Sequence, residues 1–79
     1  MTRLRLFAQA RDAAGGAREV ELPGSSVEEV LRAAVERFGT PFADVLATSA
    51  IWVNGDEAEP GDPVGGSDEV AVLPPVSGG

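Results

Sequence analysis

Ser26-Val27-Glu28-Glu29-Val30-Leu31-Arg32-Ala33-Ala34-Val35-Glu36-Arg37-Phe38-Gly39 is the one long amphipathic segment in this sequence. Val27, Val30, Leu31, Ala34, Val35 and Phe38 recur at offsets 0, 3, 4, 7, 8 and 11, which is one face of an α-helix. Ser26 stands where an N-cap hydroxyl would take an orphan backbone amide. Glu29 follows at capping-box spacing. Glu28 and Glu29 also favour the positive end of a helix dipole. Gly39 supplies a C-terminal stop, and Pro41 prevents continuation. These signals predict a helix over residues 27–38.

Upstream, Arg3-Leu4-Arg5-Leu6-Phe7-Ala8 alternates strictly, the pattern of a half-buried strand. Leu4, Leu6 and Ala8 would face inward, and Arg3, Arg5 and Phe7 outward. A second alternating run, Arg18 to Leu22, places Val20 and Leu22 inward and Glu19 and Glu21 outward. Ala14-Gly15-Gly16-Ala17 between them is a turn signal, so the two runs read as a hairpin. Its outer face would set Arg3 and Arg5 near Glu19 and Glu21. Pro23-Gly24 ends the second strand.

Downstream, Phe42, Val45 and Leu46 have helical spacing over a stretch read as a loop or single turn that plugs the end of the core. Ile51-Trp52-Val53 is a short strand running into Asn54-Gly55, the dipeptide of a type I′ hairpin turn. Glu57 to Glu59 would be the return strand, and residues 60–68 a loop. Glu69 to Leu73 closes the series, with Val70 and Val72 inward and Ala71 and Leu73 outward. Pro74-Pro75 cannot donate to a ladder and ends it.

The order is strand, strand, helix, strand, short strand, strand. One helix must cover one face of one sheet. The expected architecture is an α+β roll of the β-grasp type, a mixed sheet of four to five strands under one main helix. Residues 1–75 form the expected domain, and residues 76–79 the expected flexible tail.

Composition narrows the chemistry. The chain has 79 residues, no Cys and no His, so neither disulfides nor a zinc cage can hold it. A domain of this size buries only about 60% of its unfolded surface, so packing must do the holding. Thiol nucleophiles and the commonest general base are also excluded. All six basic residues are Arg, which leaves no ε-amino group for a Schiff base. Thirteen acidic residues give a net charge of −7, which disfavours nucleic acid and anionic membrane and favours a partner with a basic face. No apolar run approaches a membrane span and no signal-peptide core is present, so cytoplasm is the expected compartment.

Asp and Glu are the remaining acid–base groups. Glu28/Glu29 is explained by helix capping, and Asp56/Glu57 and Asp68/Glu69 flank turns. Gly15-Gly16 and Gly65-Gly66 lie in no phosphate-loop pattern. No metal site is expected. Two signals are left. Phe7 shares the outward parity of Arg3 and Arg5. If the first and last strands are neighbours, Phe7, Leu73 and Pro74 form an apolar patch, and such patches mark interfaces. The alternative is a surface residue lying under a loop. Trp52 has outward parity as well. The second signal is the ending, Pro74-Pro75-Val76-Ser77-Gly78-Gly79. A terminal diglycine is a filament without side chains that can enter a slot any Cβ would block. Six extended residues reach about 20 Å, and the prolines stiffen the exit.

The sequence resembles the small subunit of molybdopterin synthase, within the ubiquitin-like sulfur carriers. The matching pieces are Leu6-Phe7-Ala8-Gln9-Ala10-Arg11, Ser26 to Leu31, Val53-Asn54-Gly55, Asp68 to Ala71, and Leu73-Pro74-Pro75-Val76-Ser77-Gly78-Gly79. The last is the specific one. The resemblance implies that an ATP-dependent activating enzyme adenylates the Gly79 carboxylate, which then becomes a thiocarboxylate. It implies that the tail enters the large synthase subunit, where sulfur passes to cyclic pyranopterin monophosphate in molybdenum cofactor synthesis. Two carriers would serve a heterotetramer. The chain itself would bind no cofactor, ATP being consumed by its partner, and would be a non-catalytic donor subunit. Phe7, Arg11, Leu73, Pro74, Pro75, Val76, Ser77 and Gly78 would contact partners, although Arg11 also reads as a solvated loop residue. A carrier for another product, such as thiazole or cysteine, and a ubiquitin-like modifier joined through Gly79 are the alternatives, beside a plain binding module. The family usually carries lysines, and this chain has none.

Overall fold

The computed structural model describes residues 1–74. It contains β1 (Thr2–Leu6), α1 (Ala8–Ala13), β2 (Glu19–Leu22), α2 (Val27–Phe38), α3 (Thr40–Leu46), β3 (Ala50–Val53), β4 (Asp56–Glu57) and β5 (Glu69–Leu73). The strands form one sheet in the order β2-β1-β5-β3-β4. β1 and β5 are parallel, and the other pairings are antiparallel. This mixed five-stranded sheet with helices on one face is the expected α+β, β-grasp architecture.

The two central strands alternate as their sequences require. Leu4, Leu6, Val70 and Val72 are buried and pack against Val27, Val30 and Ala34 of α2. Thr2 belongs to the same buried face, and its hydroxyl donates to the Gly24 carbonyl at 3.3 Å. Helix α2 spans the residues its spacing predicts. The Ser26 hydroxyl accepts from the Glu29 amide at 3.3 Å. The returning half of the capping box is displaced by one residue, because the Glu29 carboxylate accepts from the Ser25 amide at 3.2 Å.

Four sequence expectations are corrected. β1 stops at Leu6, so Ala8 is not an inward strand residue: it is exposed and opens α1. β1 and β2 pair in the expected sense, but a helix precedes the Gly15-Gly16 turn instead of a tight hairpin. Alanine hides this helix from a periodicity reading. Ala10 and Ala14 bury its inner side, and neither stands out as a large apolar residue. Residues 40–46 form a true helix, and Pro41 falls in its first turn, where a missing N–H costs nothing. Phe42 is fully buried there, with its ring 5.3 Å from that of Phe38. Tertiary contact thus holds a helix too short to persist alone. The return strand is Asp56–Glu57 rather than 57–59, because Asn54 (φ 50°) and Gly55 (φ 88°) complete the two-residue turn and pairing starts at once.

The 60–68 segment is tied to the helix start. The amides of Val27 and Glu28 donate to the carbonyls of Asp62 and Pro60, both at 2.9 Å. Two orphan donors of α2 are satisfied in this way. Val64 of the same segment is buried. Gly24 lets the connection from β2 run close against the first turn of α2. Its φ is 146°, and a Cβ there would stand 2.8 Å from the Val30 backbone nitrogen. Gly24→Ala is expected to lower unfolding stability by about 1–3 kcal/mol, read from urea denaturation. A change below about 0.5 kcal/mol, the scale of an ordinary surface substitution, would show that the helix start tolerates a shift.

Candidate partner-docking face

All three helices pack on one side of the sheet, and among the described residues the other side is open. The strand register arranges its side chains in rows. Arg3 lies between Glu21 and Glu69, and Arg5 between Glu19 and Ala71. Trp52 lies between Ala71 and Glu57, and Leu73 pairs with Ala50. Leu6 pairs with Val72, so the parallel register carries Phe7 to the level of Leu73. The expectation that the first and last strands are neighbours therefore holds, and Phe7 stands level with Leu73, which Pro74 follows, at one end of the sheet.

The open face has two halves. At the end where β1 begins, Arg3 approaches Glu19 and Glu69, and Arg5 approaches Glu69, each at 3.7 Å. These half-exposed pairs contribute little individually, but they cancel the charge of both arginines. At the other end the face is apolar. Phe7, Ala50, Trp52, Ala71 and Leu73 are partly buried, yet none of them packs against the core. Ile51 and Val53, the strand neighbours of Trp52, do pack against it. Strand parity thus divides β3 as it divides β1. Arg5 joins the halves, with its guanidinium carbon 5.4 Å from the centre of the Phe7 ring. A cation in that position is attracted by the ring face.

Trp52 is the residue whose role sequence reasoning left open. Parity gave its direction, but a strand of four residues gives a weak parity signal. The pairing with Ala71 settles its face, and Ala50 and Ala71 leave low ground beside it. Arg11 sits in the last turn of α1, half-buried, and makes no ion pair among the described residues. It stands on the helix that leaves the sheet at Phe7, not on the open face itself. The expectations for Pro75, Val76, Ser77, Gly78 and Gly79 lie outside the described residues. Among the described residues, no group of His, Cys, Asp or Glu could hold a metal ion, and no helix is long and apolar enough to cross a membrane.

A family model decides the kinship: that of the ThiS family matches residues 4–79. The chain belongs to the ThiS family. It is a ubiquitin-like sulfur carrier, non-catalytic by family. Solved structures agree on the fold of this ThiS-family chain. The small archaeal modifier protein 1 of Methanosarcina acetivorans is 28% identical, covers 99% of this chain and 95% of its own, and has a TM-score of 0.86. A Pyrococcus furiosus protein described as molybdopterin converting factor, subunit 1, is 28% identical over 95% of this chain and 97% of its own, with a TM-score of 0.78. The complex of subunits 1 and 2 of the molybdopterin-converting factor of Helicobacter pylori contains a chain 23% identical, covering 99% and 97%, with a TM-score of 0.71. That last likeness is one of fold. No curated protein matched the chain.

The division of the sheet predicts a division of energetics. Phe7→Asp and Trp52→Ala should each lower unfolding stability by less than about 1.5 kcal/mol, whereas Leu6→Ala should cost about 2–5 kcal/mol. Calorimetric unfolding of the three variants measures this. Equal losses would place Phe7 and Trp52 in the core.

Proposed function

We propose that this carrier serves molybdopterin synthase. The supporting observation is the ending Leu73-Pro74-Pro75-Val76-Ser77-Gly78-Gly79, leaving the sheet beside an unpartnered apolar patch. In this reading an activating enzyme docks on Phe7, Trp52 and Leu73 and takes the tail into its own site. The Gly79 carboxylate attacks the α-phosphorus of ATP, and pyrophosphate leaves. A sulfur donor then displaces AMP and leaves a thiocarboxylate. The carrier exchanges the enzyme for the large synthase subunit, where the sulfur passes to cyclic pyranopterin monophosphate.

The division of labour follows from what the chain contains. A carboxylate is a poor electrophile until one oxygen becomes a leaving group. That conversion needs nucleotide, metal and general acids; in a chain without His, Cys or Lys only carboxylates are left for this, and among the described residues they form no metal-holding group. What this chain contributes is position. β5 holds Leu73 in an interior strand of the sheet, between β1 and β3. The apolar half of the open face can bind a partner. The likeness to the M. acetivorans modifier favours a second reading, in which Gly79 forms an isopeptide with a target lysine.

Incubation with the activating enzyme, Mg-ATP and a sulfide source should replace one terminal oxygen by sulfur, read by intact mass. The charged carrier and the large subunit should then convert cyclic pyranopterin monophosphate to molybdopterin. Deleting Gly79 should abolish both steps while leaving thermal unfolding unchanged. Thiocarboxylate that forms but never transfers to the pterin would point to another acceptor. Covalent ladders on other proteins, without pterin transfer, would favour the modifier reading.

A further inference from the structure

Two residues other than glycine take a positive φ among the described residues, Asn54 at 50° and Ala8 at 49°. Asn54 is explained by its turn and by the tolerance of asparagine for the left-handed region. Ala8 has neither explanation. It is exposed, its neighbour Phe7 is extended (φ −127°, ψ 150°), and α1 starts with no side-chain cap. Left-handed backbone at a non-glycine residue persists only where the surroundings impose it, and it gathers at functional positions.

The surroundings show what is imposed. Phe7 must point to the open face, in the parity of Arg3 and Arg5. Ala10, three residues on, is buried on the opposite side. The chain therefore crosses from one side of the sheet to the other within a single turn, and the Ala10 amide closes that turn on the Phe7 carbonyl at 3.1 Å. With α1 anchored in the core through Ala10, a right-handed Ala8 could be accommodated only by changing the extended backbone of Phe7 itself, which would turn the Phe7 side chain off the strand's parity. It would leave the Arg5 guanidinium without the ring it covers and Leu73 without its neighbour.

We infer that Ala8 is a positioning residue: its left-handed backbone holds Phe7 on the open face in register with Leu73, so the apolar half of the docking face is formed before any partner arrives. This rests on the docking role proposed above. Ala8 touches no reacting group and acts through Phe7.

Two substitutions with equal numbers of non-hydrogen side-chain atoms separate backbone from bulk. Asparagine tolerates the left-handed region and leucine does not. Each variant is compared with the unaltered chain and with Ala8→Gly in two measurements. The first is the ring-current shift of the Arg5 side-chain protons in the free protein, which needs no partner. The second is calorimetric affinity for the large subunit of molybdopterin synthase. Ala8→Gly and Ala8→Asn should keep the shift and stay within about threefold of the unaltered affinity. Ala8→Leu should lose the shift and bind at least about tenfold more weakly. If Ala8→Leu does not fold, Ala8→Ser takes its place. The inference is overturned if the Leu variant keeps either the shift or the affinity, or if the Asn variant loses both. If the unaltered chain does not bind the large subunit, the proposed function fails at that point, and the Arg5 shift alone still decides whether Ala8 sets the place of Phe7.

Discussion

The parallel pairing of β1 with β5 is the constraint on which the rest of the molecule depends. It joins the first strand to the last at the centre of the sheet, with Leu4 opposite Val70 and Leu6 opposite Val72. Those four side chains make the floor on which α2 rests. Because the strands run the same way, their C-terminal ends lie together. One pairing therefore fixes the core on one face and, on the other, brings Phe7 to the level of Leu73, where Pro74 begins the exit of the chain.

From that pairing the two faces acquire different work. The covered face is apolar except for Thr2 and holds the fold without a disulfide. The open face is graded along the strands. Paired charges at one end make it compatible with water, and the apolar groups at the other end are not packed against the core. Arg5 stands at the boundary and belongs to both, with Glu69 on one side and the Phe7 ring on the other. A carrier handed from one enzyme to another needs such a face. Such a face is apolar enough to bind and small enough to let go. The net charge of −7 keeps the free domain soluble and favours basic partners.

Much of this was legible in the sequence because the signals were strong where packing is simple. Helix α2 was readable from its spacing and caps. The faces of β1 and β5 followed from alternation, and the β3–β4 turn from Asn54-Gly55. What escaped notice depends on contacts between distant segments. Helix α1 is built on alanine, whose burial only the fold reveals. Helix α3 exists because Phe42 finds Phe38 and the core. The ties from Asp62 and Pro60 to the start of α2 leave no local trace at all. Within the docking face, Phe7 and Leu73 were placed by parity alone, while Trp52 needed its partner strand. Arg11 fits the family pattern, but it stands on a helix the sequence did not announce.

The central claim is that partners engage the apolar end of the open sheet, beside the exit of the chain. Backbone amide shift mapping tests it most directly, with isotope-labelled carrier titrated with the large synthase subunit. The account predicts perturbations concentrated at Phe7, Ala50, Trp52, Ala71 and Leu73, with the outward residues Glu28, Arg32 and Glu36 of α2 unmoved. Perturbations centred on α2, with the open face silent, would contradict it.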